Sequence, residues 1–402
     1  MQDNRTAVIV GAGQAGRWVA LTLRTEGFTG RIVMFGDEPH LPYDRPPLSK
    51  HLLSGEWDAG KVRLKSDGEF EDLSVDFRAG VTATGADVAG RTIALSDGSE
   101  LAFDRLVLAT GVSPRRLPGS RGIAGVHTLR TLDDAVALQG ELLPGKRLVV
   151  VGGGFLGTEV AATAVGLGVD VTVVSGATTL LERSLGVAVG KQVARLHRDH
   201  GVSLHTGPAS IVTTIDAHGG RVTGVTLIDG TVVHADVVFV AIGASPRLDW
   251  LRGSGIPIGD GIECGPDLSA APGVFAAGDV ARWTNPVFDQ SMRVEHRTNA
   301  TEQGMHVARR LLDGESTPFA AVPYFWTDQY DHKLQVHGWL RGYDEVRIVE
   351  GSFDENRMIA LFRRGHRLVG VLGIGAAKAV RQWRQHIADG EAWASVVDTA
   401  VV

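Results

Sequence analysis

The stretch TAVIVGAGQAGRWVALTLRTEGF (residues 6–28) joins a short apolar run to a glycine-rich turn and then to a helical pattern. The run at 7–10 predicts a strand, and Gly11, Gly13 and Gly16 fit G-x-G-x-x-G. In such a turn the first glycine makes the tight bend, the second lets a pyrophosphate approach the backbone, and the third packs helix on strand. The phosphates then meet the unpaired N–H groups of a helix N-terminus. A second predicted strand, RIVMF (31–35), ends at Gly36, Asp37 and Glu38. A carboxylate roughly twenty residues beyond the turn is placed to accept hydrogen bonds from a ribose.

The pattern recurs in KRLVVVGGGFLGTEVAATAVGLGVDVTVVSG (146–176), with Gly152, Gly154 and Gly157 in the three roles. Two such cradles in one chain point to two dinucleotides, one held tightly and one exchanging: FAD and a nicotinamide. The second copy ends its strand at Ser175, where a ribose-binding carboxylate is expected, and residues 176–182 contain no Lys or Arg. With nothing basic placed to favour a 2′-phosphate, NADH is the preferred coenzyme and NADPH stays open.

The 402 residues allow two or three domains, and a formal charge of −6 argues against nucleic acid. No apolar run approaches the ~18 residues of a membrane span. The opening MQDNRTAVIVGAG leads directly into the first strand, leaving no room for a signal peptide. The single cysteine, Cys264, excludes an intramolecular disulfide, and a cytoplasmic protein is expected. The fourteen histidines show no metal-ligand spacing, so no metal is expected, and no G-x-S-x-G elbow suggests hydrolysis.

The stretch EPHLPYDRPPLSKHLLSG (38–55) is unusual. Pro42, Pro46 and Pro47 predict an extended, stiff segment, after which Ser49 and Lys50 open a helix. Such a strut presents one lysine at its end.

Across nearly its whole length the chain resembles the FAD-dependent ferredoxin reductases of bacterial oxygenase systems. These are glutathione-reductase-like flavoproteins, related to rubredoxin reductases and apoptosis-inducing factor. Beyond the glycine turns, the resemblance rests on GDEPHLPYDRPPLSK, LVLATGVSPRRLP, HTLRTLDDA, VFAAGDVARW, NATEQG and PYFWTDQYDHKLQVHG. It implies an α/β fold with two Rossmann-like domains and a C-terminal α+β domain. The implied FAD domain is discontinuous (1–112 and 242–317), interrupted by an NAD domain (113–241) and followed by an interface domain (318–402). The interruption also shows in the residues. Predicted strands DRLVLATG (104–111) and ADVVFVAIGASP (235–246) end successive segments before GVFAAGDVARW returns.

The resemblance implies site residues as well. Around the glycine turns the cofactors would meet Ala15, Asp37, Glu38, Arg45, Val81, Thr110, Gly111 and Arg130. Leu156, Ser175, Gly243, Gly278, Arg297 and Trp326 join them, and Asp279 would hold the ribityl chain, an ordinary helix N-cap being the alternative. Lys50 would lie near the reactive nitrogen of the flavin, where a fixed ammonium stabilises arriving negative charge. Glu159 would pair with Lys50 and touch the nicotinamide amide. At 297 many relatives carry tryptophan where this chain has Arg297. Trp283 also matches an aromatic position near the flavin, with interface packing as the alternative.

Dithiol-using relatives place cysteine beside the flavin, but residues 42–50 hold none, and Cys264 reads as a bystander. Electrons would leave the flavin directly, the expected acceptor being an acidic [2Fe-2S] ferredoxin. Residues 357–386 carry seven Lys or Arg and no Asp or Glu, reading as strand, strand and helix, with Lys378, Arg381 and Arg384 at spacings of three. That run is the expected docking face on a monomer or weak dimer. Rubredoxin reduction, and NADH sensing in the manner of apoptosis-inducing factor, are the alternatives.

Overall fold

The structure is a computed structural model that describes residues 4–64, 68–314 and 316–400. Residues 1–3, part of the N-terminal stretch read above, lie outside the described residues. Two largely parallel sheets and one antiparallel sheet position the site. The first orders Ser269–Ala271, Val274–Ala276, Arg105–Leu108, Thr6–Val10, Arg31–Gly36 and Val75–Ala79. Val8 lies between Val33 and Leu106, and all three are fully buried, as expected for a parallel strand covered on both faces. The second sheet orders Ser203–Thr206, Asp170–Ser175, Arg147–Val151, Val237–Val240 and Val126–His127, every pair parallel.

The interruption is visible in the strand order. Arg105–Leu108 and Val274–Ala276 are hydrogen-bonded neighbours, although the whole second sheet lies between them in sequence. Where the chain leaves and returns, Val112–Pro114 pairs antiparallel with Ala244–Pro246, Ser113 facing Ser245. The expected boundary at 112 therefore runs through a two-stranded ribbon rather than a free linker.

The third sheet is antiparallel, in the order Tyr324–Gln329, His332–Gly338, Arg367–Ile374, Arg357–Arg364 and Glu345–Ser352. The helix Ala377–Ala388 packs on it through Val380, whose side chain leaves no room for a Cβ at Gly373. The basic run thus has the expected elements, but its charge is less segregated than in sequence. Arg357 pairs with Glu350 at 2.5 Å, Arg363 with Glu345 at 3.0 Å and Arg384 with Glu302 at 3.3 Å. The acids come from outside the window.

One local expectation is corrected, and one alternative falls away. Pro46–Ser49 form a 3-10 turn, not an extended strut, and no α-helix opens at Ser49 and Lys50. The fixed proline φ suits a first helical turn as well as an extended chain, and the missing N–H costs nothing there. Lys50 caps this turn with φ −124° and ψ −104°. Asp279, for its part, is no helix N-cap, because the next element is the strand Ala281–Asn285.

Candidate active site

The two glycine turns have the same steric logic. Gly11 has φ +111°, and a Cβ there would meet the Ala109 carbonyl oxygen at 2.2 Å. Gly152 has φ +119° and would meet the Ala241 oxygen at 2.3 Å. The third glycines are equally confined, a Cβ at Gly16 falling 2.0 Å from the Gly11 oxygen and one at Gly157 falling 2.2 Å from that of Gly152. At Gly13 and Gly154, however, nothing lies within 4 Å. That open space fronts the helices Gln14–Thr25 and Phe155–Gly166, neither of which has an acid in its first turn. It is the room a pyrophosphate needs, so both turns fit a dinucleotide.

A cleft of about 350 Å³ opens from the first turn. Gly11, Gly13, Ala15, Asp37, Glu38, Thr110 and Gly111 line it, from the strand ends of the first sheet. Arg45, Lys50, Arg130, Gly278, Asp279, Arg297 and Trp326 line it from later segments, and Leu156 and Glu159 from the second turn. Gly16, Gly152, Gly154, Gly157, Ser175, Val81 and Gly243 are not among its lining residues. Gly16 packs behind the turn, whereas Val81 is spent on the backbone, its N–H donating to the Gly36 oxygen at 2.9 Å. The Gly243 carbonyl accepts from Arg115 N–H at 2.9 Å. The Ser175 hydroxyl accepts from Ala177 N–H at 3.3 Å, closing its own turn.

Charged pairs fix the cleft walls. Arg45 donates to Glu38 Oε1 at 2.8 Å and to the Arg130 carbonyl at 2.7 Å. Tyr43 donates to the other Glu38 oxygen, and burial pushes its phenol above the ordinary range. Arg130 Nη2 bonds Asp279 Oδ2 at 2.9 Å, Arg247 pairs with Asp37, and Arg297 Nε lies 2.5 Å from Asp44 Oδ1. Arg297 is thus neutralised by an acid from the proline segment.

Within the cleft, Lys50 Nζ lies 2.8 Å from Glu159 Oε2. Ser49 donates to the same oxygen at 2.7 Å, and Thr327 donates to Oε1 at 2.7 Å. Asp328 stands 3.8 Å from Lys50. The side chains of Lys50 and Glu159 are only 14% and 9% exposed, so the ion pair survives desolvation because both carboxylate oxygens hold further hydrogen bonds. In the same cleft, the rings of Phe155 and Phe325 sit 4.9 Å apart, and His296 lies 4.7 Å from Phe325. Burial lowers the His296 pKa to about 4, leaving it neutral near pH 7.

Sequence reasoning brought Lys50 and Glu159 together but missed Ser49, Thr327, Gln329, Asp44 and Arg247. A signal for two of them was present. The strand Tyr324–Gln329 alternates faces, so Thr327 and Gln329 share one face, and both are fully buried. Trp283 is a core residue, 1% exposed, donating to the Phe319 carbonyl at 3.1 Å. Cys264 is not a cleft-lining residue, and burial pushes its thiol up to about 12, which removes the thiolate needed for redox exchange.

Residues 5–304 match the pyridine nucleotide-disulphide oxidoreductase family, and residues 324–401 match the reductase C-terminal family. The ferredoxin–NAD(+) reductase component of the p-cumate 2,3-dioxygenase system of Pseudomonas putida is 38% identical over 389 residues, covering 95% of this chain and 94% of that one. Rhodocoxin reductase of Rhodococcus erythropolis is 37% identical over 383 residues, covering 95% and 87%. Among solved structures, the covalent putidaredoxin reductase–putidaredoxin complex superposes with a TM-score of 0.92 at 34% identity, covering 96% and 94%. The ferredoxin reductase for the CYP199A2 system from Rhodopseudomonas palustris gives 0.91 at 34% identity, covering 99% and 100%. The chain therefore belongs to the pyridine nucleotide-disulphide oxidoreductase family, as a flavoprotein oxidoreductase that uses FAD and NAD(H).

Proposed function

We propose that the protein passes electrons from NADH through FAD to a [2Fe-2S] ferredoxin that serves a haem-thiolate monooxygenase or a ring-hydroxylating dioxygenase. The observation that carries this reading is the largely buried Lys50–Glu159 pair in a cleft whose lining includes no cysteine. FAD, when bound, accepts a hydride and can release electrons one at a time. Every other task falls to the chain.

In this reading the turn at Gly11 and Gly13, closed behind by Gly16, holds the FAD pyrophosphate, Asp37 and Glu38 its ribose, and Asp279, steadied by Arg130, the ribityl chain. Gly152, Gly154 and Gly157 hold the NADH pyrophosphate, with Leu156 and Glu159 reaching the nicotinamide end. Lys50 supplies a fixed positive charge beside the flavin, already oriented by Glu159, so that little reorganisation accompanies the reaction. The division is 1–112 with 242–317 for FAD, 113–241 for NADH and 318–402 for the interface. The partner is acidic and docks on the helix Ala377–Ala388, where Lys378 and Arg381 form no ion pair among the described residues, whereas Arg384 is held by Glu302. The protein acts in the cytoplasm as a monomer or weak dimer.

The test is NADH-dependent cytochrome c reduction by the purified yellow protein. Turnover that requires added [2Fe-2S] ferredoxin supports the reading. Turnover with rubredoxin alone overturns it in favour of a rubredoxin reductase. Negligible turnover, with a persistent long-wavelength band after NADH addition, overturns it in favour of NADH sensing.

A further inference from the structure

Behind the Lys50–Glu159 pair lies a chain of buried polar side chains whose donor order can be deduced. Glu159, paired with Lys50, only accepts, so the Thr327 hydroxyl donates to it at 2.7 Å. The Thr158 hydroxyl is likewise committed, donating to the carbonyls of Gly154 and Phe155 at 3.1 and 3.0 Å. Both threonine oxygens can therefore only accept from Gln329, whose amide nitrogen lies 2.9 Å from each. The Gln329 carbonyl oxygen is thereby turned toward His197 Nε2, at 2.9 Å, and an oxygen there requires Nε2–H. His197 Nδ1 is left as an acceptor for the Tyr330 hydroxyl at 3.1 Å. Thr158, His197, Thr327 and Gln329 are fully buried.

We infer that His197, which does not touch the cleft, is a positioning residue for the reaction: its Nε2–H locks the Gln329 amide so that the Thr327 hydroxyl points at Glu159. Without that donor the Gln329 amide keeps only its two threonine acceptors, and its buried carbonyl oxygen, left without a partner, favours a flipped amide. Its oxygen would then face Thr327, whose hydroxyl would turn to it and release Glu159. Burial keeps His197 neutral by lowering its pKa to about 4, as the donor order requires. The chain joins two parts of the fold, since His197 lies on the helix Glu182–Asp199 and Gln329 on the strand Tyr324–Gln329. The inference rests on the role proposed above for Glu159.

Two substitutions separate positioning from packing. The His197→Gln amide nitrogen occupies the place of Nε2, whereas that of His197→Asn falls at Nδ1. In stopped-flow measurements at saturating NADH, His197→Asn should slow flavin reduction roughly tenfold, the worth of one hydrogen bond to a charged group. His197→Gln should stay within about twofold, because it keeps the donor. His197→Asn combined with Thr327→Val should be no slower than Thr327→Val alone, and thermal unfolding of the FAD-loaded variants should show the same non-additivity. Wild-type rates in His197→Asn, equal losses in the Asn and Gln variants, or multiplying losses in the double variant would overturn the inference. If position 197 variants fail to retain FAD, Gln329→Met interrupts the same chain and is read the same way. Glu159→Gln, measured alongside, separates the two readings. A wild-type rate there defeats the proposed role of Glu159, while a slow Glu159→Gln with a fast His197→Asn defeats only the positioning role of His197.

Discussion

Lys50 Nζ and Glu159 Oε2 are 2.8 Å apart, although one belongs to a proline-rich turn and the other to the first turns of the helix behind the second glycine cradle. The pair fastens the proline-rich turn to the helix behind the second glycine turn. Asp328, 3.8 Å from Lys50, adds a carboxylate from the antiparallel sheet, so three parts of the chain set the position of one ammonium group.

Replacing Lys50 by methionine should therefore act twice. Flavin reduction in stopped-flow experiments should slow far more than NADH binding weakens, because the charge assists where charge develops. Stability should also drop, toward the low end of the roughly 3–5 kcal/mol expected when a buried pair loses one partner, since Ser49 and Thr327 still bond Glu159. Urea unfolding checks the second effect. Equal reduction rates in variant and wild type would remove Lys50 from the chemistry.

The glycines of the second cradle should separate folding from binding. Gly157→Ala places a Cβ about 2.2 Å from the Gly152 carbonyl oxygen and should lower the unfolding temperature. Gly154→Ala meets nothing within 4 Å, so the fold should hold while KM for NADH rises as the methyl enters the phosphate space. Thermal unfolding and steady-state ferricyanide reduction give the two readings. Unaltered KM in a stable Gly154→Ala protein would place the coenzyme elsewhere.

Ferredoxin-dependent cytochrome c reduction should fall as ionic strength rises, while NADH–ferricyanide activity changes much less, because steering between charged partners is screened by salt. Lys378→Glu with Arg381→Glu should reproduce the high-salt rate at low salt. Arg384→Glu should do less for docking, because Arg384 already pairs with Glu302 at 3.3 Å. If both activities respond equally to salt, the docking face lies elsewhere.

Acid should destabilise the fold in a defined window. Burial lowers the pKa of His197, His296 and His337 to about 4. Each binds a proton more readily unfolded than folded, so its contribution is complete above the unfolded value of roughly 6.5 and is lost as pH falls toward 4. The slope per histidine is at most about 1.4 kcal/mol per pH unit. Denaturant titrations between these pH values should show stability rising with pH, and His197→Gln should reduce the slope by one proton. A flat profile would mean that these rings are not buried neutral in solution.

The sequence by itself determined the two glycine cradles, the parallel strands feeding them and the order in which the chain leaves and re-enters the first sheet. These are local requirements: a positive φ, a Cβ collision and an apolar run each act within a few residues, so spacing records them. The proline segment was less legible, because the same fixed φ serves an extended chain and the 3-10 turn that Pro46–Ser49 adopt. Only the tertiary structure decided what surrounds Lys50 and Glu159. Thr327, Gln329 and His197 come from remote segments, and their hydrogen bonds depend on how a helix of the second sheet packs against the antiparallel sheet. It also decided how the basic run is neutralised, since Glu350, Glu345 and Glu302 approach it from outside. Periodicity tells which face of an element is buried but not which distant element will cover it, and the directions of buried hydrogen bonds follow only from that second choice.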